Sequence, residues 1–242
     1  MSGGKMAGQM VRGLRIAAVA LYLGAGGATQ AARAADELPP IPETETVTLN
    51  LWLTRAESGS ATAQYTVGYM YAMGRGTKQN YVEAEKWFRR AGEQGHARAL
   101  FSVGLLYENG WGVNEDKAEA MAWYRRAAEK GDPGAETNVA YNYFNGIAVA
   151  QDYAEAFKWY RRAALHGSSE PQYGLAGMYE VGLGVAQDYV RAFMWYGVAA
   201  AGGDQAAGRA RRRVAEKLSD DEIREGDQMA RRCMESGLTA CE

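Results

Sequence analysis

Two cysteines, five prolines and two histidines are all that 242 residues contain of these types. Both cysteines, Cys233 and Cys241, lie near the C-terminus, so no disulfide framework can organise the whole chain. His96 and His166 stand 70 residues apart, with no cysteine or carboxylate at ligand spacing, which excludes the usual metal motifs. Basic surplus is missing too: the formal charge is −2, without the electrostatic footprint of a nucleic-acid binder. No Gly-x-Ser-x-Gly elbow occurs, so the common serine-nucleophile turn is absent. The apolar run over 16–28 is too short to span a bilayer comfortably.

What is abundant is alanine (43) and glycine (30), with 47% hydrophobic residues. That hydrophobic share is too high for a disordered chain, and so little proline excludes collagen. Alanine favours helix and glycine opposes it, so the glycines must stand at helix ends or close contacts.

The first 35 residues read as a secretory signal peptide. Lys5, Arg12 and Arg15 give a basic start, 16–28 the apolar stretch, and Ala32-Arg33-Ala34 the small residues before a cut. An uncleaved anchor is the alternative. Cleavage would remove four basic residues and no acid, taking the formal charge from −2 to −6. An exported chain of that sign suits neither nucleic acid nor stable association with an anionic membrane. Residues 36–45 hold three of the five prolines and read as an extended linker.

From there the chain repeats with a period of 36 residues, in units 61–96, 97–132, 133–168 and 169–204. Aligned columns include Tyr71/Tyr107/Tyr143/Tyr179, Trp87/Trp123/Trp159/Trp195 and Phe88/Tyr124/Tyr160/Tyr196. Small-residue columns include Gly74/Gly110/Gly146/Gly182, Ala84/Ala120/Ala156/Ala192 and Gly95/Gly131/Gly167/Gly203. Each unit reads as two helices with a glycine break between them. Asn80 with Glu83, Asp116 with Glu119 and Asp152 with Glu155 have capping-box spacing at the start of the second helix. One such pair cannot bury its aromatic face, but stacked pairs can, so the predicted fold is an all-α αα-superhelix, a solenoid. A capping helix is expected over 46–60 and two more over 205–242, where Ser219 and Glu222 form another capping box.

The pattern Ala97-x-Ala99-x3-Val103-Gly104-x2-Tyr107-x2-Gly110-x-Gly112-Val113-x2-Asp116-x3-Ala120-x2-Trp123-x3-Ala127-Ala128-x2-Gly131 resembles the Sel-one-like repeat (SLR), a relative of the tetratricopeptide repeat. Departures are Ala140 and Ala176 for the first glycine, Ala148 for the loop glycine and Asn80 for the aspartate cap. The resemblance implies a superhelix acting in protein–protein interaction, and in exported relatives an envelope adaptor, a regulator or a host-interaction factor. It brings no activity or cofactor of its own. Cys233 and Cys241 have the x7 spacing of the cysteine pairs in cysteine-rich Helicobacter relatives. They are either a staple between the last helix and its tail or a free or redox-active pair. Some of those relatives are described as β-lactamases, but no catalytic motif exists here to carry that reading over.

The remaining charged groups have plain explanations beside the functional ones. The first-turn acids Glu83, Glu119 and Glu155 suit the positive helix end. The pairs Arg89-Arg90, Arg125-Arg126 and Arg161-Arg162, and the cluster Arg209–Arg213, read as solvated faces or as stripes for an acidic partner or a glycan. No catalytic, metal or cofactor residues are assigned. The favoured site is the concave groove lined by the first helices, taking a protein or peptide on Tyr65, Tyr69, Phe101, Leu105, Asn138, Tyr141, Asn142, Asn145 and Tyr173. Tyr65, Phe101 and Tyr173 have core filling as their alternative. The reading is a non-enzymatic exported adaptor, scaffold or regulator, most readily periplasmic. An envelope enzyme or carbohydrate-binding protein, or a secreted host-interaction factor, stands as the alternative.

Overall fold

The computed structural model describes residues 45–241. The leader expected over 1–35 and nearly all of the linker expected over 36–45 lie outside the described residues. Within them the chain is helical throughout and contains no strand. A first helix, α1 (Glu45–Glu57), precedes four pairs: α2 (Ala61–Met73) with α3 (Tyr81–Glu93), α4 (Ala97–Asn109) with α5 (Lys117–Glu129), α6 (Pro133–Asn145) with α7 (Tyr153–Ala164), and α8 (Ser169–Val181) with α9 (Tyr189–Ala201). Two further helices follow, α10 (Gln205–Ala215) and α11 (Asp220–Glu235). Each helix packs on the next through the fourth pair, as a solenoid requires.

Local chemistry sets these boundaries. The first helices end at Gly74, Gly110, Gly146 and Gly182, with φ of 68, 66, 63 and 77°, a left-handed conformation that other residues enter at a cost. The second helices start at Asn80, Asp116, Asp152 and Asp188, whose side chains accept from the exposed amides of the first turn. Each such cap is worth about 1 kcal/mol. The expected reciprocal boxes form only in part. Glu83 and Glu155 pair instead with Lys86 (2.6 Å) and Lys158 (2.5 Å), and Glu119 accepts from Trp123 Nε1 (2.9 Å). The box with both hydrogen bonds is Ser219 with Glu222 at the start of α11.

Within a pair, the contact that sets the spacing is an aromatic ring of the second helix laid on the backbone of the first. A Cβ on Gly104 would come 2.5 Å from Tyr124 Cε1, and one on Gly68 would come 2.6 Å from Phe88 Cδ1. Tyr124 is fully buried, and its ring also meets Phe101 at 5.5 Å. The third and fourth pairs carry Ala140 and Ala176 at this position, both fully buried.

Between pairs, the carbonyl near the end of the preceding helix already accepts from the turn amide three residues on, and at three of the four joints it takes a further donor from the next unit. Gln64 Nε2 donates to Ala56 O and Gln172 Nε2 to Ala164 O, each at 3.1 Å. In the third unit the equivalent residue is Glu136, which cannot donate. Arg162 Nη2 donates to Ala128 O (3.2 Å) in its place and pairs with Glu136 at 2.8 Å. His166 Nε2 stands 3.2 Å from the same fully buried carboxylate, which raises the imidazole pKa.

The arginines are not simply solvated. Arg90, Arg126 and Arg162 each lie over the tryptophan of their own helix, at 4.7, 4.3 and 4.8 Å. Arg89 reaches Trp123 of the next unit at 4.8 Å and donates to Tyr107 Oη at 3.0 Å. They therefore cover the tryptophan column as well as carrying charge.

The two ends close differently. Leu49 and Ala56 of α1 bury against Val67, Met70 and Trp87. At the other end α11 packs on α9, where a Cβ on Gly226 would come 2.7 Å from Phe193 Cδ1. The Arg211–Asp227 pair joins α10 to α11. The cysteines form the disulfide Cys233–Cys241, which excludes the free-thiol alternative and ties α11 to its tail. Leu238 of that tail lies over Gly167 and packs on the core beneath.

Gly104→Ala forces a fixed ring to move, at about 1–3 kcal/mol. That exceeds the gain of up to about 1 kcal/mol from helix propensity. Chemical denaturation should therefore show a net loss of stability, and a net gain would refute the packing account. Arg162→Met leaves Glu136 buried beside His166 and should cost about 3 kcal/mol, the low end of the range because the guanidinium is half exposed. Adding Glu136→Gln restores the donor that Gln64 and Gln172 supply. The double variant should recover most of the loss in the same assay; no recovery would reject this role for the carboxylate.

Candidate functional site

Seven of the nine residues expected to line a groove are partly exposed on the first helices: Tyr65, Tyr69, Leu105, Asn138, Tyr141, Asn145 and Tyr173. The other two are corrections. Phe101 is buried against Tyr124, because two aromatic rings one helix apart close over each other. Asn142 is buried with its amide donating to Asn138 O at 2.8 Å, so it satisfies its own helix.

Most of the seven are also engaged. Tyr65 stacks on His96 at 4.7 Å and meets Phe88 at 5.6 Å. Burial, partly offset by Arg98, pushes its phenol up to about 12. His96 also serves as the N-cap of α4, where Nδ1 accepts from Ala99 N at 3.2 Å. The ring of Tyr69 faces the Arg75 guanidinium at 5.6 Å. The amide of Asn145 donates to Tyr141 O at 2.8 Å, closing the end of α6. Tyr173 leans on Tyr196 at 5.2 Å. Leu105 and Tyr141 are partly exposed side chains of α4 and α6.

Several charged groups are paired across neighbouring helices. Arg98 Nε lies 2.9 Å from the buried carboxylate of Asp132, which also caps α6 through Ala135 N. Burial is the largest influence on Asp132 and raises its pKa despite the guanidinium. Tyr124 Oη donates to Glu108 at 2.8 Å. Tyr196 Oη donates to Glu180 at 2.8 Å, and Arg213 of α10 holds that carboxylate at 2.8–3.3 Å. Burial first, and then the neighbouring carboxylate, pushes both phenols upward.

Three residues of the first helices escaped sequence reading: Arg98, Ser102 and Glu170. Their columns vary from unit to unit, so the repeat alignment gave them no weight. Among the described residues no group of three or more histidine, cysteine or carboxylate side chains could hold a metal ion. Among them, too, no helix is long and apolar enough to cross a membrane.

A family model described as Sel1 repeat matches residues 61–96, 97–132, 133–168 and 172–204, more than half of the chain. The fourth match starts three residues into its unit, past Pro171, which replaces the alanine found at 63, 99 and 135. Among solved structures, a protective antigen of uropathogenic Escherichia coli strains displaying an SLR fold is 43% identical with a TM-score of 0.64, over 66% of this chain and 34% of that one. A Sel1 repeat protein from Oxalobacter formigenes is 34% identical with a TM-score of 0.69, over 72% of this chain and 50% of that one. The chain thus covers between a third and a half of the length of these two relatives. No functionally curated protein matches it.

Proposed function

The chain belongs to the Sel1 repeat family, whose repeats generally mediate protein–protein interaction, and from that premise we propose that it is a non-enzymatic adaptor or scaffold of the bacterial cell envelope. It holds a protein or peptide partner in the concave groove lined by the first helices. The observation that carries this reading is the row of partly exposed tyrosines, Tyr65, Tyr69, Tyr141 and Tyr173, on α2, α6 and α8. Tyrosines offer large rigid contact area at little entropic cost, together with a hydroxyl for a peptide backbone.

Export to the periplasm is supported by the leader pattern over 1–35 and by the Cys233–Cys241 disulfide, a bond that persists in oxidising compartments. A host-facing role is the second reading, favoured by the likeness to a protein named as a protective antigen. Fractionation into periplasm and medium separates the two.

Tyr69→Ala/Tyr141→Ala removes two of the tyrosines in the row. In a pull-down from envelope extract with the chain from Ala35 onward, this variant should lose the captured partner while keeping its helical circular dichroism. Capture at the same level with intact helicity would reject the groove.

A further inference from the structure

In a chain whose formal charge is −2, α10 carries four arginines, Arg209, Arg211, Arg212 and Arg213, and no acid among its 11 residues. The fold employs only two of them. Arg211 lies over Phe193 at 4.2 Å and pairs with Asp227. Arg213 donates to Glu180 through Nε and Nη2. Its carboxylate partner is buried while about half of the arginine side chain stays exposed, so Nη1 is left for another acceptor. Arg209 and Arg212 are exposed, and no ion pair or hydrogen bond among the described residues holds either. Most arginines elsewhere are occupied. Those of the second helices cover tryptophans, Arg98 pairs with Asp132, and Arg224 pairs with Asp221.

The place of α10 in the repeat explains why this surface is bare. The helix starts 36 residues after α8, so it is the first helix of a fifth unit, and Arg209, Arg212 and Arg213 stand in the columns of Tyr173, Ala176 and Gly177. In the four pairs the column of Ala176 is buried. On α10 no second helix covers it, because α11 packs on α9, and Arg212 stays exposed. Arg212 and Arg213 lie three and four residues from Arg209 and share its side of the helix. That side acts on the last tyrosine of the row: burial raises the Tyr173 pKa, and Arg213 and Arg209 both oppose the rise. In the last turn Arg212 and Arg213 also suit the negative helix end, which does not account for Arg209.

Guanidinium groups with unused donors, repeated along one side of a helix, complement carboxylates. We propose that this side of α10 anchors an acidic side chain, aspartate or glutamate, of an extended partner polypeptide. The carboxylate takes the donors of Arg209 and Arg212, and the residue beside it packs on Tyr173. A broad anionic surface such as a bilayer would also meet Asp220, Asp221 and Glu222 at the start of α11 and be repelled, whereas a short acidic segment would not. The anchor rests on the groove reading above and adds the chemistry of the partner.

The test uses the chain from Ala35 onward, with a random twelve-residue peptide library displayed on phage as the probe. Selected peptides should share an aspartate or glutamate at one position, and replacing it by its amide should weaken binding at least tenfold. Arg209→Gln/Arg212→Gln should weaken the same peptides at least tenfold and remove most of the salt dependence of their affinity. Arg125→Gln, at an exposed arginine of α5, should leave them unchanged. Arg209→Gln alone should weaken them about threefold without lowering the melting temperature, since glutamine matches arginine in helix propensity. Peptides that require Tyr69 and Tyr141 but share no acid, or survive the double variant, would overturn the anchor and leave the groove standing. Enrichment of no peptide would overturn both. Binding to phosphatidylglycerol vesicles that the double variant abolishes would assign the surface to a membrane and overturn the anchor. A fall in melting temperature for Arg209→Gln would show that this arginine already has a partner, with the same consequence.

Discussion

Everything in each repeat is arranged around one contact, an aromatic ring of the second helix lying on the first helix. Phe88 on Gly68 and Tyr124 on Gly104 bring the axes close enough for the alanine columns to bury completely. An aromatic side chain buries about 150–250 Å². At about 25 cal/mol per Å² that is a gross gain of about 4–6 kcal/mol per ring, before the entropy of ordering is charged against it. No single pair has enough such surface to fold alone, so the same ring also serves the joint to the next unit. The period of 36 is the sequence trace of that double duty.

Burying a tyrosine rather than a phenylalanine in this column creates a second constraint, because the hydroxyl must be satisfied. Glu108 and Glu180 do this for Tyr124 and Tyr196, and the first unit avoids the problem with Phe88 beside Ala72. Only the third unit keeps the tyrosine and replaces the acid, with Phe144. The carbonyl facing the preceding unit shows the same logic. Gln64 and Gln172 donate to it, and Arg162 takes over where Glu136 cannot. The repeats are therefore alike in backbone but distinct in how each polar group is paired. Those differences, rather than the shared columns, give each joint its chemistry.

The C-terminal end shows how a solenoid stops. Where the earlier units have Arg89, Arg125 and Arg161, the fourth has Gly197, and Arg211 of α10 approaches it. Arg211 lies over Phe193 at 4.2 Å and pairs with Asp227, so one cap residue covers the last aromatic and fixes α11. The disulfide then holds Leu238 over the turn between the third and fourth units. The last joint is closed by polar and covalent links that a further repeat would have made unnecessary.

How much could be read from the residues depended on the distance between cause and effect. Helix starts at Asn80, Asp116 and Asp152, ends at Gly74 and Gly110, and the spacing of the columns are local properties. They follow from dihedral preference and from hydrogen bonds spanning two to four residues. Sequence by itself therefore determined the fold class and the period of the repeat, while it left the pairing of Cys233 with Cys241 open. Exposure is not local. Phe101 disappears beneath Tyr124, 23 residues on, and Asn142 turns back onto its own helix. Tyr160 meets Phe144 and Gly174, residues on two different helices. Only the tertiary structure decided which tyrosines stay exposed and how each polar group is paired, because both depend on neighbours that packing, not sequence order, brings together.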